Sequence, residues 1–438
     1  MTSASADQRA LELVFGEGAD RVCRDIPDEA CHEQPRNLSL HLAALTATKT
    51  GDGIVDPKLV LSWLVSALGG SALAVGLLVP LREAFALLPQ LFIGHRIRRL
   101  PRRKFVWAAA SFMQGLAVAA MGVAVLVLPE AAAVWAVVGL VLVFAIGRSA
   151  ASVSYKDVLG KTVSKSRRGT VTGTATSVSA VVVLGLGGGL AAGVIPLSST
   201  TIAIGLLGAG GLWFLAGALF LRVVEAEGAT EGGVDGVRAA FANLGVLRED
   251  PQLARFVATR SLLTVTAIAP PYLLALTESG EQGLGSLGPF VVASSIATIV
   301  GGRVWGRLSD RSSRQVLVGA AGAGVLLFTL AGIGAATLPD LLAQSWVAAG
   351  LLFLVVLAYQ GVRLGRATHL VDMAAAEDRA TYTAVSNTVV GVVILCTGAF
   401  GALSELIGLP GLFAVFAAVC GAAFVIGRGL EEVQVERD

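Results

Sequence analysis

The sequence contains twelve long apolar stretches, and they limit what the chain can fold into more than any other feature. An α-helix needs about 20 mostly apolar residues to cross the hydrocarbon core of a bilayer. We call the stretches spans 1 to 12, and they cover about 38–68, 71–94, 105–128, 132–155, 170–194, 200–222, 254–277, 286–306, 316–337, 342–363, 381–405 and 410–428. Only 15% of the chain is charged, against about 25% in soluble domains. The sequence therefore predicts an all-α membrane protein with 12 transmembrane helices.

Lysine and arginine cluster in the turns on one side of the predicted bundle. Basic residues follow spans 2, 4 and 8: Arg96, Arg98, Arg99, Arg102, Arg103, Lys104, Lys156, Lys161, Lys165, Arg167, Arg168, Arg307, Arg311 and Arg314. The turns on the other side, near 69–71, 129–131, 195–199, 278–285, 338–341 and 406–409, contain neither residue type. Because cytoplasmic loops are enriched in both, we predict that the basic turns are cytoplasmic. An even number of spans then puts both termini in the cytoplasm, with the chain in the inner (plasma) membrane.

A long polar segment divides the spans into two groups of six. We predict a cytoplasmic tail at 1–37, an N-terminal six-helix bundle at 38–222, a cytoplasmic linker at 223–253, a C-terminal six-helix bundle at 254–428 and a tail at 429–438. The first tail lacks the early apolar stretch of a secretory signal peptide. We call the two groups of helices the N bundle and the C bundle.

The two bundles carry a similar pattern of charges. Arg148 precedes Asp157 by nine residues at the end of span 4, and Arg363 precedes Asp372 by nine at the end of span 10. A shared spacing at equivalent positions indicates an internal repeat, and transporters are often built from such repeats. The alternative is a chance alignment of two amphipathic helix ends.

The basic turn after span 8 contains a specific motif. Residues 306–315 read Gly-Arg-Leu-Ser-Asp-Arg-Ser-Ser-Arg-Gln. This segment resembles the signature of the major facilitator superfamily, Gly-x-Leu-small-Asp-Arg-x-Gly-Arg-Arg/Lys, which the family carries there and again after span 2. Residues 94–103 match less well, since Arg98 replaces the family's aspartate. The Lys-Thr-Gly-Asp-Gly segment at 49–53 is also similar to the family's opening of span 1.

The resemblance covers about 38–428. It implies two pseudo-symmetric six-helix bundles that move a small-molecule solute by alternating access. It also implies that spans 1, 4, 7 and 10 line a central cavity. The family transports many kinds of solute, so the resemblance leaves the substrate open.

The signature is implied to act as a gate or latch on the cytoplasmic side. Its residues here are Gly94, Arg98, Gly306, Asp310, Arg311 and Arg314. In the family the aspartate is thought to meet the N-terminus of a helix in the opposite bundle, where the helix dipole favours an anion. We therefore expect Asp310 near 169–171, at the start of span 5, in one conformational state. We expect Arg98 to pair with Glu377 or Asp378.

Span 1 carries the most charge at membrane depth, where a charge is costly unless it is paired or hydrated. Lys49, Asp52 and Asp56 have the spacing i, i+3 and i+7, which predicts one helix face. Two glycines and Pro57 in the same segment favour a bend or break. We interpret Asp52 and Asp56, with Lys49, as proton-coupling candidates, and Glu83 of span 2 as another. The alternative is a Lys49–Asp52 pair that only orients the helix.

Three arginines lie in the spans that the family uses to line its cavity. Arg148, Arg260 and Arg363 are candidates for binding substrate, because a guanidinium fits carboxylate and phosphate oxygens. Snorkelling, or a role in an inner gate, is the alternative. Tyr359 and Trp63 are further substrate-binding candidates, with ordinary packing as their alternative.

Two expectations concern how polar side chains pair inside the membrane. Arg82 and Glu83 are neighbours in span 2, so we expect each to need a partner other than the other. Ser386 and Asn387 of span 11 are expected to form hydrogen bonds between helices.

The sequence also excludes several classes of function. It has no Gly-x-x-x-x-Gly-Lys-Ser/Thr loop for ATP, and its histidines and cysteines lack metal-ligand spacing. The basic clusters lie between apolar runs, which argues against nucleic acid as a partner. We therefore expect no enzyme activity, no cofactor and no metal. The prediction is a monomeric secondary transporter in a lipid bilayer, moving a small anionic or zwitterionic solute coupled to protons. The alternatives are an exporter of amphipathic drugs or lysolipids, and a non-transporting sensor with the same fold.

Overall fold

A computed structural model of the chain describes residues 32–228, 243–277, 287–374 and 379–434, and these residues form helices and no strands. Most of the predicted tail 1–37, part of the predicted linker and the last four residues lie outside these ranges. The helices of the N bundle are Gln34–Ile54 and Val60–Ala67 (span 1), Ala72–Leu87 and Pro89–Arg98 (span 2), Lys104–Val127 (span 3), Glu130–Thr162 (span 4), Lys165–Ala191 (span 5) and Ser199–Leu221 (span 6).

The C bundle follows a short 3-10 turn, Asn243–Gly245, and the helix Val246–Glu249. Its helices are Pro251–Leu262, Val265–Ile268 and Pro270–Ala275 (span 7), Leu287–Arg311 (span 8), Ser313–Thr337 (span 9), the short Pro339–Leu342, Ser345–Met373 (span 10), Arg379–Cys396 (span 11), the 3-10 turn Thr397–Ala399 and Phe400–Gly427. The last helix is divided at Gly408, where φ is 70°. A left-handed φ suits glycine, so Gly408 forms the turn between spans 11 and 12.

The described residues contain 10 segments long and apolar enough to cross a membrane. Two features explain why this number is 10 and not 12. Span 1 is polar and broken, so it is not among the segments. Spans 11 and 12 count as one segment, 381–427, although the chain turns at Gly408. The prediction of an all-α membrane fold with twelve spans in two bundles is confirmed. Large apolar side chains such as Leu116, Val181 and Leu406, which are 64%, 66% and 81% exposed, cover its outer surface, as contact with lipid requires.

The first helix of each bundle is interrupted near its middle. Span 1 stops at Ile54 and resumes at Val60, and the predicted break at Pro57 is therefore confirmed. Span 7 is interrupted before Val265 and again before Pro270. Pro57 accounts for the break in span 1 and Pro270 for the second break in span 7, because proline lacks an amide hydrogen and its ring clashes with the preceding turn. The break in span 1 leaves polar backbone and side chains facing the interior.

Helix packing repeats between the two bundles. In the N bundle span 3 packs on span 6, span 1 on spans 5 and 6, and span 2 on span 4. In the C bundle span 9 packs on span 12, span 7 on spans 11 and 12, and span 8 on span 10. The bundles meet through spans 5 and 8 and through spans 2 and 11. The equivalent pairings support the internal repeat that the charge spacing indicated.

All the basic turns lie at one end of the molecule, which we call the basic face; the other end is the opposite face. The carboxylate of Glu225 is buried at the basic face, where its oxygens accept hydrogen bonds from the backbone N–H groups of Arg103 and Lys104 at 3.0 and 2.7 Å. The Nζ of Lys161 lies 3.1 Å from Glu225 and 3.0 Å from Asp157. The first residues of the predicted linker are thus fixed to the N bundle.

The C bundle has an equivalent set of contacts at the basic face. Ser312 donates to Glu432 at 2.5 Å, and the Gln434 amide donates to Asp372 at 2.7 Å. Asp157 and Asp372 are the two aspartates that the sequence placed at equivalent ends of spans 4 and 10. Each therefore lies in the network that ties the chain after the last span of its bundle to the basic face.

Candidate functional site

A cavity of about 340 Å³ lies between the bundles. Spans 1, 2, 4, 5, 7, 8 and 10 contribute to its wall. Its ionisable residues are Lys49, Asp52, Asp56, Lys58, Arg82, Glu83, Arg148 and Arg363. Its uncharged polar residues include Thr176, Ser179, Ser294, Ser295, Thr298 and Gln360. We call this space the central cavity.

The two bundles approach each other closely, backbone to backbone, near the opposite face. A Cβ atom on Gly76 of span 2 would lie 2.7 Å from the Cα of Gly401 in span 11. A Cβ on Gly288 of span 8 would overlap the backbone of Ala191 in span 5. Both interfaces between the bundles, spans 2 with 11 and spans 5 with 8, are therefore tight at this end.

The break in span 1 places three of the predicted residues on the cavity wall. Lys49 and Asp52 are in the last turns before the break, and Asp56 lies within it. The backbone N–H of Lys58 donates to the Asp56 carboxylate at 2.9 Å. Among the described residues, Asp56 has no salt bridge within 4.0 Å. The predicted common face of Lys49, Asp52 and Asp56 thus corresponds to a common wall, whereas their role in proton coupling stays a prediction.

Asp52 forms a two-point ion pair with Arg148 of span 4. The guanidinium Nη2 lies 2.8 Å from Oδ2, and Nη1 donates to Oδ1 at 3.2 Å. The side chains are 32% exposed for Arg148 and 19% for Asp52. The alternative of a Lys49–Asp52 pair is not realised within 4.0 Å in the described structure, since Arg148 occupies both oxygens. Lys49 consequently faces the cavity with no salt bridge of its own among these residues.

The expectation that Arg82 and Glu83 need other partners is wrong. Nη1 of Arg82 donates to Glu83 Oε1 at 2.5 Å, with both side chains 22% exposed. Adjacent helical residues point in directions about 100° apart, but the long arginine side chain closes that angle by folding back over the cavity wall. Glu83 is also within electrostatic reach of Lys58 and Arg366.

Spans 1, 8 and 10 supply cavity residues that the sequence analysis missed: Lys58, Thr298 and Gln360. Lys58 lies over the ring of Tyr359, with Nζ 4.0 Å from the ring centroid. Gln360 donates to Thr298 at 3.0 Å and joins spans 10 and 8. Lys58 follows Pro57 directly, so a charged residue just after a predicted break was the signal for it. No comparable signal marks Gln360 and Thr298, because isolated polar residues are common in long spans.

Arg363 lies on the cavity wall with its side chain exposed to the cavity. No salt bridge of Arg363 within 4.0 Å occurs among the described residues. With all groups ionised, the five basic and three acidic residues of the wall give a net charge of +2. The two carboxylates paired with arginine neutralise two of the cations, so the excess positive charge is carried near Lys49, Lys58 and Arg363.

Arg260 and Trp63 do not line the central cavity. Arg260 is 7% exposed and donates to Ser386 at 2.6 Å and to Asn387 at 2.8 Å, which confirms the predicted hydrogen bonds between helices. These bonds direct its guanidinium towards span 11. Trp63 is 4% exposed and packs in the apolar core, because the helix after the break turns this position away from the cavity.

Part of the predicted gate can be located at the basic face. Arg314 donates to the backbone carbonyl of Arg428 at 2.9 Å, within the C bundle, and Arg311 is exposed. A Cβ on Gly306 would meet open space, and Gly94 is buried in span 2. The side chains of Arg98 and Asp310, together with Glu377 and Asp378, lie outside the described part of the structure, so both latch contacts stay predictions.

Asp250 caps span 7 at the basic face and ties it to span 11. Its Oδ1 accepts from the backbone N–H groups of Gln252 and Leu253 at 2.8 and 3.0 Å, and its Oδ2 accepts from the Tyr382 hydroxyl at 2.6 Å. Partial burial alone would raise the pKa of Asp250, but these three hydrogen bonds outweigh it and hold the pKa below its usual value.

The described residues include no group of three or more His, Cys, Asp and Glu placed to hold a metal ion. The charged residues of the central cavity form two ion pairs, and Lys49, Lys58, Arg363 and Asp56 lie outside any salt bridge within the described structure. Such a wall suits a polar, charged solute in contact with water.

Comparison with solved structures gives the fold. The nucleoside transporter NupG matches with a TM-score of 0.68 and 13% identity, over 89% of this chain and 99% of that chain. A POT family transporter in complex with 5-aminolevulinic acid matches with a TM-score of 0.65 and 10% identity, over 90% of this chain and 95% of that chain. A bacterial homologue of the human lysosomal transporter Spinster, in an inward-facing and unoccupied conformation, matches with a TM-score of 0.59 and 16% identity. The match covers 90% of this chain and 97% of that chain.

Comparison of sequences gives the family. No curated protein matches the sequence. The sequence profile of the Major Facilitator Superfamily matches residues 47–392, which include the cavity-lining segments of both bundles. The chain therefore belongs to the Major Facilitator Superfamily of membrane transporters.

Proposed function

We propose that the protein is a proton-coupled carrier of a small anionic or zwitterionic solute. The observation that carries the proposal is the net charge of +2 on the wall of the central cavity. Burying charges next to the bilayer is costly unless they are paired or hydrated. A cavity that keeps unpaired cations is therefore best explained by a ligand that pairs with them.

Arg363 and Lys49 are the proposed anchors for the solute's negative group. Both lie on the cavity wall, and the guanidinium fork of Arg363 can hold a carboxylate or phosphate by two hydrogen bonds. Tyr359, with Lys58 above its ring, borders the same space and offers a hydroxyl. Arg148 joins this set when it is released from Asp52.

Asp56 is the proposed proton carrier. Asp52 and Glu83 are each paired with an arginine, so protonating either would leave a guanidinium without its partner. Asp56 accepts a backbone hydrogen bond but has no such partner among the described residues. It can gain or lose a proton without breaking an ion pair, which suits a group that must titrate as access alternates. An ammonium group of a zwitterionic solute would bind the same carboxylate.

The orientation follows from the distribution of charge. We place the basic face, and with it both termini, in the cytoplasm of a cell whose inner membrane holds the chain as a monomer. In this orientation the tight contacts at Gly76 and Gly288 lie on the outer side, and they support a cavity closed towards the outside. Opening that side requires the two bundles to rock against each other. The proposed cytoplasmic gate consists of Gly94, Arg98, Gly306, Asp310, Arg311 and Arg314.

The similar structures support a polar solute without identifying it. One of them is described in complex with 5-aminolevulinic acid, a molecule with one carboxylate and one amino group. Export of amphipathic drugs or lysolipids is less well supported, because eight ionisable residues line the cavity. A non-transporting sensor would bind solute but produce no solute-dependent flux of protons.

A thermal-unfolding screen of the purified protein at two pH values tests the proposal. A ligand that binds only the folded state raises its stability with ligand concentration. We expect stabilisation by a small carboxylate or amino acid, lost in Arg363→Gln and kept in Arg248→Gln, whose arginine is exposed in the segment before span 7. Stabilisation by hydrophobic cations alone would overturn the proposal.

A further inference from the structure

A second cavity lies inside the N bundle, next to the central one. Its volume is about 220 Å³, and spans 1, 3, 4 and 5 line it. Lys49 and Arg148 belong to the walls of both cavities. Lys156 and Thr172 lie at its end nearer the basic face. We call this space the side pocket.

The charges of the side pocket all have the same sign. Lys49, Arg148 and Lys156 line it, and none of the described carboxylates does. Asp52, which pairs with Arg148, lies on the wall of the central cavity. A ligand in the side pocket therefore meets a positive field that the pocket itself does not neutralise.

Three polar side chains on the wall keep an atom without a partner. Ser111 is fully buried and Gln114 is 1% exposed, and within the described part of the chain the hydroxyl of Ser111 and the Oε1 of Gln114 have no hydrogen-bond partner. The same holds for the buried hydroxyl of Tyr155. A buried polar atom without a partner costs about 1–3 kcal/mol. Three of them around one pocket indicate that the wall is built for a polar ligand.

The unpartnered atoms also specify the ligand's own hydrogen-bonding groups. The hydroxyls of Ser111 and Tyr155 can donate to an anion. Gln114 already donates its amide N–H to the Ala110 carbonyl at 3.1 Å, which fixes Oε1 as an acceptor. A ligand that pairs with these three groups and with the pocket's cations would be an anion that accepts hydrogen bonds and donates one hydrogen.

We propose that the side pocket is a binding site for a small oxyanion that also bears a hydroxyl hydrogen. Dihydrogen phosphate and 2-hydroxycarboxylates share this chemistry. Lys49 supplies the opposite charge, Ser111 and Tyr155 donate to the oxyanion, and Gln114 accepts from its hydroxyl. Because Lys49 and Arg148 also face the central cavity, an anion here sets the charge that the transported solute meets.

The test measures binding alone, so it does not depend on the transport function proposed above. The purified full chain is titrated with sodium phosphate, lactate, acetate or chloride at constant ionic strength and mildly acidic pH, and thermal unfolding is followed. Phosphate or lactate should stabilise the protein in a saturable way, acetate less, and chloride not at all. If phosphate stabilises the protein at a lower concentration than lactate, the site binds phosphate; the reverse order indicates a 2-hydroxycarboxylate.

Variants locate the site. Ser111→Ala and Tyr155→Phe should each raise the dissociation constant about fivefold, as loss of one hydrogen bond predicts. The matched control is Ser294→Ala, which removes a hydroxyl from the central cavity only. Gln114→Glu should stabilise the protein without added anion and abolish the response, because it places a carboxylate beside the three cations.

Two results would overturn the proposal. One is equal stabilisation by all four anions, which indicates screening of charge rather than a site. The other is a phosphate or lactate response that survives Gln114→Glu or is lost in Ser294→Ala, which places the anion elsewhere. Solute binding in the central cavity is judged separately, by the effect of Arg363→Gln, so either proposal can fail alone.

Discussion

The ion pair between Asp52 and Arg148 joins span 1 to span 4 across the wall of the central cavity. Replacing Asp52 by Asn keeps the shape of the side chain and removes its charge, and Arg148→Gln removes the opposite charge with a shorter polar side chain. A double-mutant cycle of these two changes isolates the energy of the pair from the effects of each substitution.

The expected energy follows from the geometry. The two N–O distances are 2.8 and 3.2 Å, and at about 3 Å an effective dielectric of about 20 gives roughly 5–6 kcal/mol of gross attraction. Desolvation opposes this attraction, and the pair remains partly open to the cavity, at 32% and 19% exposure. We therefore expect a coupling energy of about 1–3 kcal/mol, between the ranges of exposed and buried pairs.

The assay is thermal unfolding of the four purified proteins in one detergent. Arg102 and Glu227 provide the matched pair: their 3.5 Å contact is 49% and 69% exposed, so their cycle should give no more than about 0.5 kcal/mol. A coupling energy for Asp52 and Arg148 no larger than that of the exposed pair would refute the reasoning.

Three further predictions concern the two ends of the molecule. Glu225→Gln should destabilise the protein by about 2–3 kcal/mol, since a buried carboxylate with two backbone donors and a lysine loses its charge; thermal unfolding measures it. Gly401→Val should separate spans 2 and 11 at the opposite face and so increase labelling of Ser66→Cys by an impermeant thiol reagent. Tyr382→Phe should cost about 1 kcal/mol at neutral pH. Because folding lowers the pKa of Asp250, the charged carboxylate stabilises the folded state above about pH 4, and this stabilisation is lost as the pH falls further.

Each of these has its own control. Glu249→Gln removes an exposed carboxylate near the linker and should leave unfolding unchanged; an equal loss in both variants would contradict the role of the buried network. Gly421→Val adds the same side chain where the nearest atom is 4.0 Å away, and it should not change labelling. A Tyr382→Phe effect of the same size at all pH values would show that the charge of Asp250 is not involved.

Much of the fold was predictable because hydropathy and proline act locally. Span boundaries, the break at Pro57 and the repeat marked by Arg148 and Arg363 all depend on neighbours within one helix or on regular spacing. The partner of Asp52 was not predictable in this way. The sequence offered several cations as partners for Asp52, among them Lys49. Only the three-dimensional placement of span 4 beside the cavity brings Arg148 within 2.8 Å of Asp52.

The errors at the site have physical causes of the same kind. Which face a residue presents after a helix break depends on the geometry of the break, and this is why Trp63 was placed on the cavity wall. Arg260 lies in a span that lines the cavity, but two polar groups of span 11 bind it first. Glu225 was overlooked because a glutamate after the last apolar residue of a span is usually part of a solvated linker. In the structure its buried carboxylate accepts hydrogen bonds from three donors at the basic face.

Solute-driven movement of protons in proteoliposomes tests the central claim most directly. The protein is reconstituted with a pH-sensitive dye inside, and a carboxylate or amino acid that stabilises it in the thermal screen is added outside. The account predicts acidification or alkalinisation that requires the solute, disappears in Asp56→Asn and Arg363→Gln, and persists in Arg248→Gln. Proton movement that is unchanged in Asp56→Asn and Arg363→Gln, or driven by hydrophobic cations and by no anionic or zwitterionic solute, would contradict it.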